Sequence, residues 1–293
     1  PIVLDVSLNT RVLAFTAMVA AVTTLLFGLA PAWRATRIDP QHSMKATDRS
    51  IAPGQTRFSA GKALVVAQIT LSLTLVVLAG LLLGTFRRLA TAETGFVGRG
   101  VLMATMDLRG TGYEEEQRKA IKDGILARLR EAPGVVTASA TNIIPLSGRG
   151  WNGLIEVDGF EPQAERDALV FFNAVAEEYF AALQTPLRAG REFTPADGEN
   201  APPVAIVNET LARRFFGERN PVGQRIGLMI PGEGVGEHVE VVGVVADSKY
   251  RSMREEEVPL LYRPIRQSGY GSNTLNVALR GSSPPLTLMP TVE

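Results

Sequence analysis

One uncharged stretch, residues 63–86, constrains this chain more than any other. It reads ALVVAQITLSLTLVVLAGLLLGTF, with no charge and no proline, and Gln68 is its only strongly polar side chain. As an α-helix it is about 36 Å long, enough to cross a hydrocarbon core of about 30 Å with some tilt. A buried core helix of a soluble enzyme is the alternative, but such helices rarely run this long without a charge. We therefore predict a transmembrane segment over residues 63–89. We expect it to be an α-helix, because a segment in lipid must make its backbone hydrogen bonds within itself.

A second uncharged stretch, VLAFTAMVAAVTTLLFGLAPAW, occupies residues 12–33. It is about 33 Å long as a helix. Its alanines and Gly28 favour close helix packing in lipid, and Trp33 is placed where an interfacial aromatic is common. A signal peptide fits poorly, because the apolar run is too long and another span follows. This stretch predicts a further transmembrane helix within residues 1–40.

The segment between the two stretches, residues 34–62, sets the predicted topology. It contains six basic and two acidic residues. By the positive-inside rule it is cytoplasmic, although Arg11, Arg87 and Arg88 oppose this orientation. Residues 41–62 are thus a predicted cytoplasmic linker, rich in Ser, Gly, Pro and Thr over residues 47–61. The first helix then runs inward, the second runs outward, and residues 90–293 lie outside the cytoplasm.

Residues 90–293 form the polar part of the chain and contain 21 basic and 27 acidic residues. This mild acidity argues against nucleic acid as a partner, since a nucleic-acid surface is basic. Periodicity and turn residues predict an α+β extracytoplasmic domain, with mixed sheets and helices in two subdomains, attached to two transmembrane α-helices. Strands are predicted at residues 101–108, 135–142, 154–157, 169–176, 204–207, 225–229, 238–245, 258–262 and 274–279, and helices at 113–131, 177–183 and 211–216. The first helix is predicted to have Ile121, Ile125 and Leu129 on one apolar face, residues 208–210 are predicted to cap the last helix, and residues 231–236 are a predicted glycine-rich turn.

The sequence offers no catalytic set. Its two histidines, His42 and His238, fall on opposite sides of the predicted membrane, and cysteine is absent. Residues 54–62 end in Gly-Lys, but six residues separate the two glycines where a phosphate loop needs four. The acidic run 114–116 suits a helix N-terminus, and the run 255–257 predicts a solvated loop; calcium at either is the less favoured alternative. We therefore assign no catalytic, cofactor-binding or metal residue, and we predict that the chain is not an enzyme.

Short motifs along the chain resemble a known transporter family. The segment PAWRATRIDP at residues 31–40, followed by Met44-Lys45, resembles the inner end of the last membrane helix of FtsX-like permease domains. The polar part resembles the periplasmic core domain of MacB-type ABC transporter permeases. Eight stretches match in order: residues 133–135, 145–148, 178–180, 189–193, 204–209, 212–216, 220–223 and 241–247. This order, and a chain that begins at Pro1, implies the middle of a longer permease whose membrane-plus-periplasmic unit is duplicated.

The resemblance implies a function and a set of partners. It implies a multi-pass protein of the cell inner membrane, in contact with the lipid bilayer, whose residues 90–293 are the second periplasmic core domain. A cytoplasmic ABC ATPase is the implied partner, and a periplasmic adaptor or an outer-membrane protein is a further one. The implied activity is export by mechanotransmission, in which ATP hydrolysis moves the outer domain. Two alternatives stay open: an FtsX-like regulator of cell-wall hydrolases that moves no substrate, and a membrane-anchored sensor or binding module without an ATPase.

Individual residues in these motifs have predicted structural roles. Gly190, Gly223 and Gly243 suit tight turns or close strand approach. The aromatic residues of the motifs are predicted to be core side chains: Phe180, Phe193, Phe215 and Phe216.

Overall fold

A computed structural model of the 293-residue chain describes residues 10–35, 60–90, 94–110, 112–268, 273–282 and 284–289. Two compact units divide the chain, one over residues 2–81 and the other over residues 82–293. The predicted linker 41–62 falls outside the described residues up to residue 59, as do His42 and the end of the FtsX-like motif.

Both apolar stretches are helical. Helix α1 spans Thr10–Ala35 and α2 spans Ala60–Ala90. Their threonine hydroxyls donate to carbonyls of the preceding turn, for example Thr70 to Val66 at 2.9 Å, so these polar groups are satisfied within the helix. Within the described residues one segment, Val65–Arg87 of α2, is long and apolar enough to cross a membrane, and none of it is buried; the apolar part of α1, Leu13–Leu25, is shorter. The predicted helices are confirmed, whereas the predicted number of two spans stays a prediction.

The second unit alternates strands and short helices, as the periodicity predicts. Its strands are β1 (Val101–Asp107), β2 (Val135–Thr141), β3 (Trp151–Val157), β4 (Leu169–Val175), β5 (Leu187–Gly190), β6 (Val204–Asn208), β7 (Arg225–Ile230), β8 (Gly234–Val245), β9 (Leu260–Pro264) and β10 (Thr274–Gly281). Its α-helices are α3 (Glu115–Glu131), α4 (Tyr179–Leu183), α5 (Glu209–Phe216) and α6 (Ile265–Ser268), and 3-10 turns occur at Glu165–Ala168 and Pro285–Leu288.

The ten strands found in the described part of the chain belong to one sheet. Its order is β1-β10-β2-β4-β3-β7-β8-β6-β9, and β5 pairs with β8. Because β9 also pairs with β4, in parallel, six strands close into a ring: β4, β3, β7, β8, β6 and β9. The expected α+β class is confirmed. Strand β2 hydrogen-bonds to β4 and thereby joins β1, β10 and β2 to the ring; the predicted division into two subdomains stays a prediction.

The ring encloses the first hydrophobic core. Alternate residues of its strands point inward, as the period of two requires. Buried members of this core include Ile155, Val157, Val170, Phe172, Ala205, Val207, Ile226, Val239, Val241 and Leu261. Helix α5, which follows β6 directly, adds Leu211, Phe215 and Phe216. Its predicted N-cap is confirmed, because the Asn208 side chain accepts a hydrogen bond from the Leu211 N–H at 3.0 Å.

Helix α3 packs on β2 and β10 and covers the core of the other part of the sheet. Its predicted apolar face of Ile121, Ile125 and Leu129 is only partly right. Leu129 is buried, but Lys122 and Leu126 are the other buried residues, and the two isoleucines are half-buried. The buried face of the helix is thus rotated by about one residue from the predicted face. Lys122 can lie on this buried face because its aliphatic stem packs like an apolar side chain.

Several element boundaries differ from the prediction by a few residues. Strand β3 begins at Trp151 and β8 begins at Gly234, so the predicted glycine-rich turn is shorter. Strand β5 was not predicted, since four residues carry too little periodicity. Gly190 and Gly243 have the close-approach role predicted for them, because a Cβ on either would overlap the backbone of the facing strand or loop. The four predicted core aromatics are all buried, from Phe180 to Phe216.

Candidate functional site

Among the described residues no three or more His, Asp and Glu side chains form a group that could hold a metal ion. His238 is exposed on β8. Two features remain: an anchor, defined as residues 94–100 between α2 and β1, and a cleft at one end of the strand ring.

The anchor is hydrogen-bonded to the core domain through its backbone. The Thr94 carbonyl accepts from the Lys249 N–H at 2.8 Å, and the Val97 N–H donates to the Leu183 carbonyl at 2.8 Å. Gly95 lies directly against Asp247 with φ +75°, and any Cβ at this position would overlap the Asp247 carbonyl oxygen. Glycine is required there because both the space and the backbone conformation exclude a side chain.

Arg280 of β10 holds the anchor from a second direction. Its guanidinium donates to three carbonyls: Ala182 from Nε at 2.6 Å, Val97 from Nη2 at 2.7 Å and Arg99 from Nη1 at 3.2 Å. Burial lowers the pKa of Arg280, although an arginine stays charged at any physiological pH. Charge-assisted bonds of this kind are stronger than neutral ones. The anchor, β10 and α4 are therefore joined at one side chain.

The N-terminus of α5 lies beside the anchor. The Asp247 carboxylate accepts from the Thr210 N–H at 2.8 Å, the Thr210 hydroxyl at 2.9 Å and Arg213 Nη2 at 3.0 Å. The anchor and this cluster together line a shallow cleft of about 670 Å³. The acidic side chain suits the positive end of the helix dipole, and it ties α5 to the end of β8.

A buried asparagine holds the two parts of the sheet together. Strands β2 and β4 pair at a single position, Thr141 with Val175. The Asn173 side chain of β4 strengthens this junction: its Oδ1 accepts from the Thr141 hydroxyl at 3.2 Å and from the Ile143 N–H at 3.1 Å, and its Nδ2 donates to the Ile143 carbonyl at 3.0 Å. Asn173 is 1% exposed, so water does not compete for these groups.

A cleft of about 1020 Å³ lies at one end of the ring. The rings of Trp151 and Phe172 are 5.0 Å apart and form part of one wall. Leu228 and Ile230 of β7 contribute to the lining. Trp151 and Ile230 are each 44% exposed, so the cleft presents apolar surface to solvent. Gly153 preserves this space, since a Cβ there would lie 3.0 Å from Phe172 Cε2.

A buried charge also lines this cleft. Arg263 of β9 is two residues beyond the inward Leu261 and so shares its face of the strand. Its Nη2 lies 2.8 Å from Glu237 Oε2 of β8. Arg263 is 8% exposed, and its Nε is buried without an acceptor among the described residues. Burial lowers the pKa of Arg263, and the Glu237 carboxylate only partly offsets this effect.

The sequence did not single out these residues. Arg263, Glu237, Asn173 and Arg280 read as ordinary strand positions, and only the charge two residues after Leu261 could have signalled an inward arginine. The predicted solvated loop 255–257 is wrong for Glu255, whose carboxylate accepts the backbone N–H groups of Tyr250 and Arg251, the latter at 2.8 Å. Such loop closure depends on contacts that a sequence pattern does not contain.

Comparison with known proteins gives one family match. The family model described as the MacB-like periplasmic core domain matches residues 63–286. No curated protein matches the chain. Among solved structures, the periplasmic region of MacB from Actinobacillus actinomycetemcomitans is 16% identical, with a TM-score of 0.45 over 70% of this chain and 86% of that one. The extracellular domain of the noncanonic ABC-type transporter YknZ from Gram-positive bacteria is 18% identical, with a TM-score of 0.40 over 65% and 87%.

Proposed function

The chain belongs to the family of MacB-like periplasmic core domains, and from this membership we propose that it is part of a membrane permease of an ABC-type transporter. A cytoplasmic ATPase would hydrolyse ATP and move the membrane helices, and the extracytoplasmic domain would move with them to drive export. The protein would be a multi-pass protein of the cell inner membrane, with residues 90–293 on the outer side. A periplasmic adaptor or an outer-membrane protein would complete an export path.

The observation that supports this proposal is the anchor. Only residues 91–93 separate the end of α2 from Thr94, where hydrogen bonds to the core domain begin. Arg280 adds three carbonyl contacts in the same region. A displacement of the end of α2 would therefore act on β10, α4 and β8 rather than be absorbed by a long free loop. Mechanical coupling requires a connection of this kind, whereas a passive tether does not.

The first test is whether a partner ATPase co-purifies with the protein. The full-length protein would be gently extracted from its own membranes and examined for a co-purifying ATPase with Walker motifs. We expect such a partner, and we expect its ATP hydrolysis to change when the permease is reconstituted with it. No ATPase under conditions that preserve the membrane complex would contradict the proposal and favour a sensor. With an ATPase present, substrate transport and activation of cell-wall hydrolases separate export from FtsX-like regulation.

A second test addresses topology. The 293-residue chain has no cysteine, so Ser43→Cys and Ser147→Cys would each introduce the only thiol of this chain. Ser147 lies in an exposed turn after β2, whereas Ser43 is in the predicted cytoplasmic linker. We expect a membrane-impermeant maleimide to label Ser147→Cys from outside intact cells and Ser43→Cys only after permeabilisation. Labelling of both from outside would contradict the proposed orientation.

A further inference from the structure

The cleft at the open end of the strand ring combines exposed apolar walls with an under-satisfied buried cation. Its volume of about 1020 Å³ suits a small organic ligand. Mouths of strand barrels are frequent positions for such sites. Trp151 and Ile230 supply apolar surface that is 44% exposed in each case. An occupant with an apolar body would remove this surface from water, which is favourable in proportion to the area buried.

The positive charge of Arg263 indicates that the polar end of the ligand is negatively charged. A guanidinium has five N–H donors, and Glu237 Oε2 at 2.8 Å is the partner of Arg263 among the described residues. Its Nε has none, although the side chain is only 10% exposed. A buried donor without an acceptor is costly, and a charged one more so. Arg263 lines the cleft, so a negatively charged oxygen that enters from the cleft would give this guanidinium a second acceptor.

We propose that this cleft binds a small amphipathic carboxylate, with its apolar body along Trp151 and Ile230 and its carboxylate on Arg263. Glu237 competes with that carboxylate for the guanidinium and thereby keeps the affinity moderate. Glu237 is 41% exposed at the mouth, so it is free to turn toward solvent as the ligand enters. The site lies in the core domain alone and does not depend on whether this domain moves with an ATPase.

The test uses tryptophan fluorescence. The chain contains two tryptophans, so Trp33→Phe leaves Trp151 in the cleft as its only reporter. The 293-residue chain, in nanodiscs of zwitterionic lipid, would be titrated with octanoate, octan-1-ol and octylammonium, and empty nanodiscs would supply the blank. We expect octanoate to quench or shift the fluorescence of Trp151 in a saturable manner, and to do so at lower concentration than the alcohol or the amine. No saturable response to octanoate, equal affinity for the alcohol, or tighter binding of the amine would overturn the proposal.

Two variants with opposite expected effects on octanoate affinity test the contact between Arg263 and the carboxylate. Arg263→Gln should weaken the binding of octanoate at least about tenfold, since a charge-assisted hydrogen bond is lost. Glu237→Gln should strengthen it, because the competing carboxylate is gone; this exposed position keeps the test valid even if Arg263→Gln misfolds. Arg225→Gln, an exposed arginine of β7 outside the cleft, is the matched control and should leave the affinity unchanged. Unchanged or weaker octanoate binding in Glu237→Gln would overturn the assignment.

Discussion

Asn173 shows how much one side chain contributes at the residue scale. It makes three hydrogen bonds at a junction where β2 and β4 share a single paired position. Asn173→Leu keeps the volume but leaves the Ile143 N–H and carbonyl without this partner. We expect a loss of about 3 kcal/mol in the free energy of unfolding, measured by denaturant unfolding of the purified chain. Asn152→Leu, at an exposed asparagine of β3, is the control, and an equal loss there would contradict this role.

The Arg191–Asp197 pair predicts a pH dependence at the same scale. Burial raises the pKa of Asp197, but Arg191, at 2.7 and 2.8 Å, and the bonds from Thr194 outweigh it, so the net pKa lies below the usual 3.8. A carboxyl whose pKa is lowered by folding stabilises the fold above its unfolded pKa, and this contribution is lost as the pH falls through the folded value. Asp197→Asn should therefore destabilise the protein at neutral pH.

The difference in stability between Asp197→Asn and the parent should shrink as the pH falls below 3.8, because Asp197 then becomes protonated and neutral, like the asparagine. Thermal unfolding midpoints across an acid pH series provide the measurement. Glu199→Gln, which removes an exposed pair with Lys119, is the control and should change the midpoint little. A difference that stays constant down to the acid end of the series would contradict the role of this ion pair.

At the scale of elements, glycine substitutions separate close approach from flexibility. Strand β5 lies against β8 so closely that a Cβ at Gly243 would overlap the Arg191 carbonyl oxygen. Gly243→Ala should displace β5 and increase hydrogen exchange at the Arg191 amide, which donates to Val242 at 2.9 Å. Gly124 of α3 has open space around its Cα, so Gly124→Ala should stabilise the chain by about 1 kcal/mol. Unchanged exchange in Gly243→Ala would show that β5 is not held by this contact.

At the scale of the whole molecule, the proposed coupling depends on the short connection between α2 and the anchor. A short Gly-Ser insertion within residues 91–93 should leave ATPase binding intact and abolish the coupled output, because motion of α2 would be absorbed by the flexible linker. The same insertion at Glu218, in the exposed turn after α5, is the control and should preserve output. Transport assays on the full-length complex check both. Retained output with the insertion after α2 would exclude mechanical transmission through the anchor.

The sequence by itself determined the helical stretches, nearly every strand and the family. Long uncharged runs and strict alternation are local properties, so residues 63–86 and strands such as β6 are readable without a structure. The motifs that resemble the MacB-type domain are likewise local in the chain. The polar side chains that carry the candidate sites were not readable, because Asn173, Arg263 and Arg280 differ from surface residues only in their surroundings.

Tertiary structure alone decided how the strands close and what they enclose. The ring depends on β9 pairing with both β4 and β6, which are distant in sequence, and no periodic pattern specifies such partners. Closure then places Arg263 beside Glu237 and opens the cleft between Trp151 and Ile230. Burial and hydrogen bonding are sums over neighbours from many strands, so they arise only once the pairing is set. For that reason the anchor and the cleft are properties of the fold, whereas the long apolar helix is a property of the sequence.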